Sequence, residues 1–229
     1  MLRDLWNTFI QKEKINEILK KRTGNNTKYN SQNYLEKLKY ICTDFDKIYN
    51  KDIKNITMQD VICAVVYMDW AIESVDMIEK ELSYVLSTSF NASNKYDRLK
   101  EYSESLRSFI IAHPLETTRH SKYKLDGRYI CVDIQPQASI FIIGPKPYKY
   151  FSLSGLQNKP NKNKRYVYIK CYSANKIKEN RKSHTISFDN IAHPNELYFF
   201  GIALEDIYEV INYCIKRLDY FNRTIKKII

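Results

Sequence analysis

Apolar residues recur at helical spacing through the first half of the chain. The stretch L-R-D-L-W-N-T-F-I-Q-K-E-K-I-N-E-I-L from position 2 predicts a first helix, which T-G-N-N-T interrupts. N-Y-L-E-K-L-K-Y-I-C-T-D-F-D-K-I-Y repeats the pattern and predicts a second. A third is expected from about Thr57, where Asp60 stands three residues on in a capping-box arrangement, and to run to about Val85. Its segment from Val61 to Met68 is apolar almost all round, which predicts a central helix. S-T-S-F-N-A-S-N reads as a loop. A fourth helix follows from about Tyr96 and should stop at A-H-P, because the residue before a proline is disfavoured in helical geometry.

The period then changes. R-Y-I-C-V-D-I, A-S-I-F-I-I-G and R-Y-V-Y-I-K-C-Y are short, aromatic and β-branched, and Pro, Gly and Asn bound them. They read as strands, with K-P-N-K-N-K-R a turn. Residues 202–227 return to a long amphipathic helix. The expected fold class is mainly α: a helical bundle carrying a basic β-rich insertion before its C-terminal helix, α+β overall. The expected divisions are 1–118 for the bundle, 119–200 for the insertion and 201–229 for a final helix that packs back on the bundle.

Charge sharpens this division. The chain has 229 residues and a net charge of +11. Residues 119–186 hold fifteen Lys or Arg against three Asp or Glu, while the rest of the chain is near neutral. Such a segment is an electrostatic footprint for a polyanion, with nucleic acid the first candidate and an ordinary lysine-rich solvated surface the plain one. Bases and rings alternate in K-P-Y-K-Y-F and K-R-Y-V-Y-I-K, a composition suited to unpaired RNA. Expected contacts are Arg119, His120, Lys146, Lys149, Lys164, Arg165 and Lys170.

Several chemistries lack their signatures. Five glycines form no phosphate-cradling loop, and no H-E-x-x-H or G-x-S-x-G occurs. Five widely spaced cysteines suggest reduced, mostly buried thiols and no zinc pair. No cofactor or metal is expected. No run of about eighteen apolar residues suggests a membrane span. The start lacks an apolar signal core, so a cytoplasmic protein is expected.

Only four histidines are available for acid–base work. In L-R-S-F-I-I-A-H-P, Arg107 precedes His113 by six positions. On a helical wheel His113 joins the apolar face of Leu99, Tyr102, Leu106, Phe109 and Ile110. A packed histidine at a helix end, favoured by the helix dipole, is the plain alternative.

A helical bundle whose late helix carries R-x(4–6)-H resembles the HEPN superfamily (higher eukaryotes and prokaryotes nucleotide-binding domains). The resemblance covers about residues 33–115 and the last helix, and not the basic insertion. It implies a metal-independent ribonuclease of toxin–antitoxin or phage-defence type. It further implies a homodimer in which two motifs share a cleft. Arg107 and His113 would be catalytic and Ser108 would help orient the phosphate. Ser108 departs from the Asn, Asp or His common after the arginine. Glu73 or Asp69, on a polar stripe of the third helix, would hold Arg107 in place. Two readings from other classes remain beside it: a non-catalytic nucleic-acid-binding protein working through 119–186, and an interaction module for an antitoxin or other acidic protein.

Overall fold

The computed structural model describes residues 1–10, 15, 17–18, 31–90, 93–112, 128–135, 148–173 and 198–228. Among them the protein is mainly helical, with a small mixed sheet before the C-terminal helix. The helices are α1 (Leu2–Ile10), α2 (Ser31–Tyr49), α3 (Met58–Leu86), α4 (Asn94–Arg107) and α5 (Leu204–Ile228). The strands are β1 (Arg128–Gln135), β2 (Tyr148–Ser152), β3 (Gly155–Gln157), β4 (Tyr166–Ser173) and β5 (Tyr198–Ala203). No helix among the described residues is long and apolar enough to cross a membrane. The expected strand at A-S-I-F-I-I-G lies outside the described residues.

The chain forms two compact units. One comprises Met1–Asn50, Val66–Lys100 and Tyr208–Ile229, the other Lys51–Val65 and Glu101–Ile207.

The first unit is helical. Trp6, Leu38, Phe45, Met68, Val75, Leu82, Cys214, Leu218 and Phe221 are among its buried residues. Each comes from an apolar position of a helical repeat, so burial of one face per helix holds the unit together. The start of α1 is closed by a side chain from α2. Asp46 accepts hydrogen bonds from the Leu2 and Arg3 amides at 3.1 and 3.0 Å. Those donors have no partner within α1, so a carboxylate there offsets both bonding need and dipole. Cys42 and Cys214 are buried free thiols. Burial pushes the Cys42 thiol up to about 12, which keeps it protonated and inert.

The second unit is built on a five-stranded sheet of order β1-β4-β5-β2-β3. All pairs are antiparallel except β2 with β5. Gly155, at φ 103°, closes the β2–β3 hairpin in a conformation that suits glycine. Both faces of the central strands are buried. Phe151, Val167, Ile169, Phe200 and Ile202 form one apolar face; Tyr150, Tyr166, Tyr168 and Ala203 form the other. Tyr150, Tyr166 and Tyr168, from the segments that alternate basic and ring residues, are therefore core residues.

Gly201 lies on the tyrosine face, paired with both Tyr150 and Tyr168. A Cβ there would stand 2.7 Å from Tyr150 Cδ1 and 3.0 Å from Tyr166 Cδ1. The Tyr150 and Tyr166 rings already meet edge to face at 5.0 Å, so they have little room to yield. Gly201→Ala should therefore cost about 1–3 kcal/mol, read as a lower denaturation midpoint in urea.

The capping box at α3 forms as the sequence implies. The Asp60 amide donates to Thr57 Oγ1 at 3.2 Å, and the Thr57 amide donates to Asp60 Oδ2 at 2.8 Å. Lys51 Nζ lies 2.6 Å from Asp60 Oδ1. Burial alone would raise the Asp60 pKa, but the hydrogen bonds from Lys51 and Thr57 outweigh it and hold the carboxyl below its usual range. A depressed carboxylate stabilises above its unfolded pKa and loses that contribution as pH falls through the folded value. Asp60→Ala should thus cost about 1–2 kcal/mol at neutral pH. The gap to wild type should narrow below about pH 4. Urea denaturation at both pH values measures it.

One boundary differs from expectation, and one helix changes type within its expected span. Ile202 and Ala203 continue the apolar spacing of the last helix but belong to β5, where they pair with Val167 and Tyr166. The fourth helix changes type before its end, from α-helical at Arg107 to π-helical over Ser108–Ala112.

Candidate functional site

Helix α4 starts from Ser93, whose hydroxyl accepts the Tyr96 amide hydrogen bond at 3.2 Å. Asp97 in its first turn and Arg107 in its last both suit the helix dipole. The apolar face Leu99, Tyr102 and Leu106 is buried.

The π-helical turn Ser108–Ala112 falls wholly inside R-x5-H. Wider turns of this kind are rare and occur often at functional sites. Here packing on the sheet accounts for where it stands. Phe109 is fully buried, with its ring 5.3 Å from Phe151 and 5.4 Å from Phe200. Tyr102 lies 6.5 Å from Phe151. Edge strand β1 approaches the same turn. Phe109 and Ile110 are thus held on the phenylalanine face of the sheet, while Arg107, just before them, is exposed. Ser108 is half-buried, and its Oγ has no hydrogen-bond partner among the described residues. The apolar face read from the helical spacing, Leu99, Tyr102, Leu106, Phe109 and Ile110, stays buried into this turn. His113, Arg119, His120 and Lys146 lie outside the described residues.

The basic positions divide. Lys164 Nζ lies 2.5 Å from Asp206, a fully buried carboxylate in the first turn of α5. Arg165 Nε lies 2.7 Å from Glu205 Oε1, and the Arg165 amide donates to Glu205 Oε2 at 2.7 Å. The Arg165 guanidinium also donates to the Lys51 carbonyl at 3.5 Å. These two cations tie the β3–β4 loop to the start of α5. Much of their charge is met by Glu205 and Asp206 before any ligand arrives. Lys149 donates to Asn158 across the hairpin. Lys170 lies in β4, and its side chain is outside the described residues.

Glu73 and Asp69 both sit on the part of α3 that belongs to the first unit, whereas Arg107 belongs to the second. Glu73 pairs with Lys37 of α2 at 3.7 Å. Among the described residues no three His, Cys, Asp or Glu side chains gather as a metal-binding group.

Sequence reasoning missed the Lys164–Asp206 and Arg165–Glu205 pairs, whose members are some forty positions apart. It also missed Phe109 as the anchor of the motif. The signal was present: Phe109 is the one aromatic between Arg107 and His113. Compared with protein-family models, curated proteins and solved structures, the chain matches none.

Proposed function

We propose that this protein is a metal-independent RNA endonuclease of HEPN type, acting in phage defence or as a toxin, with Arg107 and His113 as its catalytic pair. The observation that carries the reading is the π-helical turn inside the motif: Arg107 is exposed at the end of α4, and Phe109 and Ile110, just after it, are buried on the sheet.

The chemistry follows from the residue types. His113 takes the proton of a 2′-hydroxyl, whose oxygen then attacks the adjacent phosphorus. The Arg107 guanidinium, a planar fork matched to phosphate oxygens, stabilises the charge that builds on them. The 5′-oxygen leaves with a proton from a second histidine, supplied by His113 of a second copy. The products are a 2′,3′-cyclic phosphate and a 5′-hydroxyl.

Oligoribonucleotides incubated with the protein in EDTA should yield cyclic phosphate ends. A 2′-deoxy substitution at the cleaved nucleotide should block the cut. Cleavage that leaves 5′-phosphate ends, or that tolerates the 2′-deoxy substitution, would exclude this mechanism. Tight RNA binding with no cleavage would favour the non-catalytic binding protein.

A further inference from the structure

We propose that the loop between β3 and β4 docks the phosphodiester backbone of RNA, holding it through Lys149, Lys159 and Lys162 and reading no bases. From Tyr148 to Arg165 the chain has five Lys or Arg and no Asp or Glu. Two of the five are committed, Lys164 to Asp206 and Arg165 to Glu205. The other three keep their charge for a ligand. Lys159 and Lys162 are exposed, and among the described residues no carboxylate pairs with either. Lys149 donates to the neutral amide of Asn158. Every residue from Gln157 to Asn163 is exposed, and none carries an aromatic ring.

The loop is fastened at several points. Pro160 fixes one backbone angle. The Asn161 amide donates to the hydroxyl of buried Tyr166 at 3.0 Å. The Asn163 amide donates to Asn161 Oδ1 at 3.0 Å, and the Lys164 amide to the Asn161 carbonyl at 3.1 Å. Just beyond, the Leu204 amide donates to the Arg165 carbonyl at 3.2 Å. Lysines on a fixed backbone lose less freedom on binding than lysines on a loose one. The chemistry then selects the occupant. Ammonium groups beside Asn and Gln side chains suit phosphate oxygens, which accept from both kinds of donor. No ring is offered for a base to stack on, because Tyr150, Tyr166 and Tyr168 lie in the sheet core. Lys164 and Arg165, expected from the sequence as contacts, serve here as the posts that hold the loop. The surface rests on the reading that the ligand is RNA and not on cleavage, since a protein that binds RNA without cutting it would use it equally.

Fluorescence anisotropy of the full chain with a fully 2′-O-methylated single-stranded RNA tests it, since that probe lacks the free 2′-hydroxyl and cannot be cut. Wild type should bind, with an affinity that falls as salt rises. The double variant Lys159→Ala, Lys162→Ala should bind about tenfold more weakly at about 0.1 M salt. It should also lower the log–log salt slope by about 1.4, the value for two single-strand phosphates. The loss should agree to within about threefold for two probes of unrelated sequence. The control Lys216→Ala, Lys226→Ala removes the same charge from exposed positions of α5 and should change neither quantity. All four positions are exposed, so the variants are expected to fold, which circular dichroism checks. A wild type that does not bind at about 100 µM overturns the proposal. So does a loop variant with the wild-type slope, a loss confined to one sequence, or an equal loss in the α5 control. If poly-glutamate competes as well as RNA at equal charge, the loop takes acidic chains in general and the proposal fails. Natural RNA that is bound through the loop yet left uncut supports this proposal and sinks the ribonuclease reading.

Discussion

Arg217→Ala should destabilise the helical unit by about 3–5 kcal/mol, a large share of the stability of an ordinary domain. Arg217 is 5 % exposed, deep on α5. Its guanidinium reaches both carboxylate oxygens of Glu79 on α3, at 2.7 and 2.8 Å, and its Nε donates at 3.0 Å. The same group lies 4.6 Å over the Tyr96 ring and 5.2 Å over Phe221. Alanine would leave Glu79 without this partner and open a void between two rings. Arg217→Lys keeps the charge but loses the fork and the stacking, so an intermediate loss is expected. A double change to methionine at both Arg217 and Glu79 should recover most of the stability, because burying two charges is itself expensive. The exposed pair Lys95–Glu209, at 2.8 Å, is the internal contrast. Its removal should cost under about 1 kcal/mol. Urea midpoints for these four variants decide the matter. If Arg217→Ala falls no further than Lys95→Ala, the buried fork is not what joins α3 to α5.

The surroundings of that fork explain why it tolerates burial. Tyr96 Oη donates to Asp76 at 2.9 Å, and Lys100 Nζ lies 2.6 Å from the same carboxylate. Burial drives the Tyr96 phenol far above its ordinary pKa, so it remains a neutral donor. Two cations and two carboxylates thus surround one ring, with each charge facing an opposite one.

The second large effect is functional. Arg107→Ala and His113→Ala should each lower single-turnover RNA cleavage by about 10²–10⁴-fold, the range for loss of one charge-stabilising donor or one general acid–base group. Neither loss should be additive with the other, since in the proposed mechanism both serve one transition state. Arg107 is exposed and ends a helix, so the folded state should survive its removal. Arg107→Lys should recover little, because a point charge cannot span two phosphate oxygens. Phe109→Leu is the informative companion. It leaves the reacting groups intact but loosens the π-helical turn on Phe151 and Phe200, so cleavage should fall together with stability.

Local patterns were legible in the sequence and tertiary ones were not. Thr57 and Asp60 declare the start of α3 because a capping box needs only four adjacent residues. The buried face of α4 is written in its spacing. β2 was hidden because K-P-Y-K-Y-F reads as a basic, aromatic surface, yet Tyr150 and Phe151 are buried on opposite faces of the sheet. β3, at three residues, is too short to show alternation. Ile202 and Ala203 keep helical spacing by coincidence, and only pairing with β4 makes them strand. The π-helical turn leaves no mark in composition; it depends on Phe109 finding two phenylalanines far along the chain. The partners of Lys164, Arg165 and Arg217 lie too far away in sequence to be guessed. The R-x5-H motif was therefore legible, while the setting of Ser108–Ala112 on the sheet and the partners of Lys164 and Arg165 were not.

In the proposed function Arg107 and His113 cleave RNA without a metal. The most direct test incubates total RNA and tRNA in EDTA with wild type, Arg107→Ala and His113→Ala, after thermal melts show that all three fold. Wild type should cleave and neither variant should, with RNA still bound. Cleavage that persists in both variants, or that EDTA abolishes in wild type, would contradict it.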